Sequence, residues 1–162
     1  ENILLDVDPA MLQAGAMLAI GGHAILWLPF NCEACGRLDA YMPGLANRVG
    51  AQRGILARVW HGGEIRTGDG TRVVTPSVKP WSDDWRERVA AILRRVPDGM
   101  VVEYRQLARL AGVQSSYCRV FPRIARELGA SDKAVPMNST SPLPRWDGQE
   151  LCEPRPIHKQ AG

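Results

Sequence analysis

The sequence predicts an α+β protein in two parts. Three observations carry this. Short β-rich apolar runs fill most of residues 1–78, with one helical stretch ahead of them. A run with apolar side chains at helical spacing opens near Asp83. Between them, Thr75–Pro80 carries two prolines and breaks both patterns. The division is a small α+β domain of unassigned fold over 1–78, a second domain over 81–151 and a polar tail over 152–162.

The elements follow in order. Asp8 as cap, Pro9 in the first turn and Gly21–Gly22 as a stop predict a helix across Met11, Leu12, Leu18 and Ile20. Ala24–Leu28 reads as a buried strand and Asn31–Gly36 as a cysteine-rich turn. Ile55–Trp60 is β-rich. Glu64–Thr67 and Thr71–Thr75, around Gly68-Asp69-Gly70, predict a hairpin. In the second part, Ser82 is the expected cap of a helix over 83–96, with Trp85, Val89, Ile92, Leu93 and Val96 as its apolar stripe. Pro97-Asp98-Gly99 turns the chain into a short extended piece, Met100–Val102. A helix from Tyr104 to Ala111 is closed by Gly112. A third helical region starts at Ser115 or Ser116 and ends at Gly129. Pro122 must kink or restart it, because proline has no N–H for the helix. Arg145–Gln149 reads as a turn.

Composition narrows the function classes. Hydrophobic residues make up 45% of the 162 and charged residues 23%, the balance of a globular domain. The longest apolar run, Ala24–Phe30, has seven residues and contains Pro29, so no span of the roughly 18 residues a membrane crossing needs is expected. No secretory signal is read at the start, and the four cysteines do not form a disulfide framework, so the expected setting is reducing and cytoplasmic. The net charge of +3 is uneven. Residues 1–80 are neutral, while Arg86–Arg126 holds nine arginines against three acids, +6 over 41 residues. Arginine suits bidentate phosphate recognition and base stacking, so this segment is the electrostatic footprint of a nucleic-acid binder or else a solvated helical surface.

Two helices joined by a short turn, rich in arginine and followed by an extended arm, describe a helix-turn-helix or winged-helix unit. The residues then go further. Val96-Pro97-Asp98-Gly99-Met100-Val101-Val102-Glu103-Tyr104-Arg105-Gln106-Leu107-Ala108-Arg109-Leu110-Ala111-Gly112 meets every fixed position of V/I-P-x-G-x-V-x-x-Y-x-x-L/I-A-x-x-A-G. It resembles the DNA-binding domain of the O6-alkylguanine-DNA alkyltransferases and of their non-catalytic relatives, the alkyltransferase-like proteins. The resemblance covers roughly residues 81–150.

It implies a winged helix that binds double-stranded DNA in the minor groove and flips a nucleotide. Tyr104 is then the residue that turns a backbone phosphate. Arg119 fills the vacated place in the base stack if one extra residue is allowed after Gly112; without the gap that position is Cys118. Arg105, Gln114, Ser115, Ser116, Arg123 and Arg126 are the further expected DNA contacts. Trp146, beside Arg145 and an Asp-Gly turn, is placed to stack on a base or wedge into the minor groove, the competing reading being a side chain folded back onto the helices.

The chain departs from the alkyltransferases at the nucleophile, which in the family lies in P-C-H-R-V. One register aligns Val135-Pro136-Met137-Asn138-Ser139 there, with Met137 and Asn138 at the base pocket. The other aligns Pro142-Leu143-Pro144-Arg145. Neither supplies a thiol, and a thioether has no proton to lose, so no catalytic residue and no enzyme activity are expected.

Cys32 and Cys35 form a C-x-x-C-G turn that suits one half of a zinc site. His23 and His61 could complete a Cys2His2 set at spacings that match no standard finger, and a redox dithiol or two ordinary cysteines are the competing readings. No other cofactor is expected. The functional expectation is a non-enzymatic DNA-binding protein that senses a modified or damaged base. Two alternatives stay open: a winged-helix regulator without lesion recognition, and a protein-interaction module that modulates a DNA-processing factor. Residues 1–78 are the expected surface for a protein partner.

Overall fold

A computed structural model describes residues 3–8, 11–32, 34, 36–50, 54–74 and 79–152. The chain is α+β and forms two compact units. The first holds Glu1–Asp83 together with Cys152, and the second is Asp84–Leu151.

The first unit is built on one antiparallel sheet of four strands. They are β1 (Met17–Ile20), β2 (Ala24–Asn31), β3 (Ile55–His61) and β4 (Thr71–Val74), in the spatial order β3-β2-β1-β4. Leu18, Ile20, Ala24, Leu26 and Leu28 point to one face and, with Ala16, make a buried core that Leu5, Leu12, Ile55 and Val73 flank. The β2–β3 register shifts between Trp27 and Phe30. Pro29 lies in that interval and cannot donate to the ladder. A short helix, α1 (Leu45–Val49), has no counterpart among the expected elements.

Two expectations fail in this unit. Of the helix expected between Asp8 and Gly21, only a 3₁₀ position at Met11 is seen among the described residues, and its C-terminal part is strand β1. Gly15 sits at φ 94, which interrupts any helix there. Gly21, at φ 60, belongs to the hairpin turn between β1 and β2 rather than to a helix end, and its N–H donates to the Gly70 carbonyl at 2.9 Å. Glu64–Thr67 forms no strand either. β4 pairs with β1 instead, and the Arg66 N–H donates to the Asp69 carboxylate at 2.8 Å, closing a turn. Residues 75–78 of the expected linker lie outside the described residues.

In the second unit, α2 (Trp85–Leu93) is capped by Asp84, not Ser82: the Asp84 carboxylate accepts from the Arg86 N–H at 2.8 Å. Val89, Ile92, Leu93 and Val96 are fully buried. Strand β5 (Val102–Glu103) leads directly into α3 (Tyr104–Ala111), which ends at Gly112 in the left-handed region, φ 67. A 3₁₀ turn (Ser115–Arg119) precedes α4 (Phe121–Glu127), whose first turn contains Pro122. Proline thus restarts the helix where its missing N–H costs nothing. Strand β6 (Ala134–Val135) pairs in parallel with β5.

Arg88 is the one charged side chain in the core among the described residues. It is 2% exposed, and its Nε donates to the Ala111 carbonyl at 2.7 Å. A buried cation there meets one of the terminal carbonyls that α3 cannot satisfy itself.

Candidate nucleic-acid interface

Tyr104 begins α3 directly after β5, because the backbone switches from extended at Glu103 to helical. It is half-buried. Its ring meets Phe121 edge-on at 6.2 Å between centroids, and burial pushes its hydroxyl pKa above the usual tyrosine value. Arg105 follows on the exposed side of α3. Its charge acts on Cys118, so the N-terminal turn of α3 lies beside residues 118–121.

The turn before α4 is sorted by what its side chains touch. Tyr117 turns inward and packs on Trp85 at 4.8 Å. Cys118 is half-buried. Burial raises its thiol pKa, and the opposing influences of its own backbone hydrogen bond and of Arg105 do not cancel that. Gln114, Ser115, Ser116 and Arg119 are exposed. Of the two registers for the stack-filling residue, only the gapped one, at Arg119, offers a cation at the surface.

On α4, Phe121, Ile124 and Ala125 face inward, which leaves Arg123 and Arg126 outside. Arg123 is engaged: its Nε lies 2.7 Å from the Glu127 carboxylate, and that bond raises the arginine pKa further. The guanidinium groups of Arg105, Arg119 and Arg126 make no hydrogen bond or ion pair among the described residues. Arg109, one turn beyond Arg105, shares that property; its i+4 spacing was the signal for it.

Trp146 does not reach the surface as a DNA contact would. It is 3% exposed, its N–H donates to the Val101 carbonyl at 2.8 Å, and its Nε1 donates to Glu150 at 3.1 Å. It is a core side chain and is not presented to a base. The segment that holds it is a parallel bridge of Arg145 to Val101, followed by Gly148 packed on Leu110.

Met137 and Asn138 lie on an exposed turn closed by the Ser139 N–H to the Pro136 carbonyl at 3.0 Å. Met137 is 61% exposed, so it is not enclosed as a base pocket requires. Arg145 organises the chain beyond that turn. Its guanidinium donates to the carbonyls of Ser139 at 3.0 Å and Leu143 at 3.4 Å, and its Nε lies 3.4 Å from Glu103. Because Glu103 immediately precedes α3, Arg145 ties this loop to the start of the helix that carries Tyr104. Sequence spacing gave no sign of that role.

Cys32 is half-buried, while Cys35 lies outside the described residues. His23 and His61 are both exposed. Among the described residues, no group of three side chains could hold a metal ion, and no helix is long and apolar enough to cross a membrane.

Comparison with known protein families, curated proteins and solved structures returns no match for this chain.

Proposed function

We propose that the second unit is a DNA-binding module of winged-helix type, that it acts without enzymatic turnover, and that it senses a modified base by extruding it from the duplex. The observation that carries this reading is the meeting of the α3 N-terminus with residues 118–121. Tyr104 packs on Phe121, Arg105 acts on Cys118, and Arg119 lies exposed between them in sequence. Three chemistries then share one surface: a phenol at a helix start, a cation for phosphate and a flat cation for a vacated base position. The motif from Val96 to Gly112 supports the same reading.

The absence of alkyl transfer rests on three residues. Met137 and Leu143 have no ionisable sulfur. Cys118 does, but its raised pKa opposes the thiolate that attack requires.

The test is an affinity series on the full chain by fluorescence anisotropy. It compares unmodified duplex, duplex with O6-methylguanine and single-stranded DNA over a range of salt. Duplex binding should weaken linearly in log–log form as salt rises. Labelled methyl should stay on the base. Duplex affinity that ignores salt, or label on any cysteine, overturns the reading.

A further inference from the structure

The sheet of the first unit has a second face. Alternation and register place Met17, Ala19, Ile25, Trp27, Arg58, Arg72 and Val74 on it, opposite the Leu18–Leu26 core. Trp27 is its floor, 1% exposed. Trp60 meets Trp27 at 6.3 Å and 71°, and Trp81 meets it at 6.1 Å and 74°. Trp81 is held there by its N–H donating to the Pro29 carbonyl at 2.9 Å. The Arg58 guanidinium lies over the Trp81 ring at 5.0 Å. Trp60, Trp81 and Arg58 are only half-buried, and Arg72 is exposed.

Two features separate this cluster from an ordinary core. The indole N–H of Trp27 is buried with no hydrogen-bond partner, an uncompensated donor in a protein whose other buried side-chain donors are satisfied among the described residues. And none of the four strands contains an acidic residue, while both of their arginines stand on this face.

We infer that this face binds single-stranded nucleic acid. Half-exposed tryptophans offer stacking surfaces to bases of any identity. Arg72, exposed on this face, suits the phosphates. A paired duplex hides its base faces and is excluded from such a platform. A methylated-ammonium ligand also fits aromatic walls, but here the Arg58 guanidinium already occupies the face of Trp81. The site lies on a different unit from the proposed duplex surface and does not depend on it.

The experiment uses the full chain and a fluorescent oligothymidylate of about 12 nucleotides, within the usual reach of such sites. Anisotropy and tryptophan quenching are followed over a range of salt. Trp60→Ala should weaken binding about 5- to 150-fold, the range for loss of one stacking ring. Arg72→Gln, at an exposed position, should lower the salt slope by about 0.7. Trp60→Phe keeps a ring and should retain part of the affinity. If Trp60→Ala does not fold, Trp60→Phe and Arg72→Gln decide. Duplex affinity should not change in these variants, and the Arg105→Gln/Arg119→Gln variant should keep its oligothymidylate affinity. The inference is overturned if oligothymidylate does not bind at low salt or if the variants in the first unit bind it as the wild type does. It is also overturned if only the second-unit variant loses binding, or if tetramethylammonium quenches the tryptophans and the oligonucleotide does not.

Discussion

On the proposed DNA surface, removing an acid from α4 should strengthen duplex binding. Arg123 and Glu127 stand one turn apart on α4, 2.7 Å apart at the closest atoms, and both are largely exposed. Glu127 is the only acid on this helix, and it lies at the end where the helix dipole disfavours negative charge. In Glu127→Gln the Arg123 guanidinium loses its intramolecular anion and becomes available to a phosphate. One added phosphate contact raises the salt slope for duplex DNA by about 0.9. Over a fourfold rise in salt, that slope alone removes a further factor of about 3.5 in affinity, so the gain is largest at low salt. Anisotropy titrations at four or more salt concentrations measure both quantities. Arg126→Gln removes an arginine with no partner among the described residues and should flatten the slope by about 0.9. The double variant Arg123→Gln/Glu127→Gln is charge-neutral and should return to the wild-type slope. An unchanged or weakened affinity in Glu127→Gln, with circular dichroism unaltered, would refute the placement of α4 on the DNA surface.

Gly148→Ala should destabilise the second unit by about 2–4 kcal/mol, from a left-handed backbone and an overpacked contact. Gly148 stands at φ 76, and an added Cβ would lie 2.6 Å from Leu110 Cδ1; urea denaturation should show the loss, and Leu110→Val should recover part of it. Cys118 should be alkylated by iodoacetamide with a midpoint above that of a free thiol, and Arg105→Gln should move it higher still, because the arginine charge is one of the influences that lower it. Tyr104 and Cys118 both hold their protons more strongly in the fold than in the unfolded chain. Their contribution is therefore whole below the unfolded pKa values and is lost as pH rises through the folded ones, and Tyr104→Phe should lessen that alkaline loss of stability in denaturant titrations. Arg88→Met should cost about 1–3 kcal/mol, because the buried Ala111 carbonyl loses the donor 2.7 Å away; an unchanged unfolding midpoint would contradict that role.

Local signals and tertiary contacts divide this protein cleanly. Helix α3 was legible to the residue, from Tyr104 to Ala111, because Gly112 sets its end within the sequence itself. Pro122 likewise announced the break before α4, since a missing N–H acts wherever the chain goes. The arginine-rich segment and the lack of a thiol at Met137 and Leu143 are composition, and need no fold. The β1 strand was not legible. Gly21–Gly22 serves a helix stop and a hairpin equally well, and only pairing with β2 and β4 selects the hairpin. The place of Trp146 was not legible either, for a related reason. An amphipathic ring beside a turn suits a surface or a core, and the Glu150 carboxylate and Val101 carbonyl that settle its place are contacts of the folded chain. The partition of the arginines is the clearest case. Sequence alone shows nine similar cations between Arg86 and Arg126, yet folding buries Arg88, stacks Arg86 on Trp85 and pairs Arg123 with Glu127, while Arg105, Arg109, Arg119 and Arg126 keep their charge open to solvent. Charge is a property of the residue, but its availability to a phosphate depends on neighbours that only the tertiary structure brings within a few ångströms.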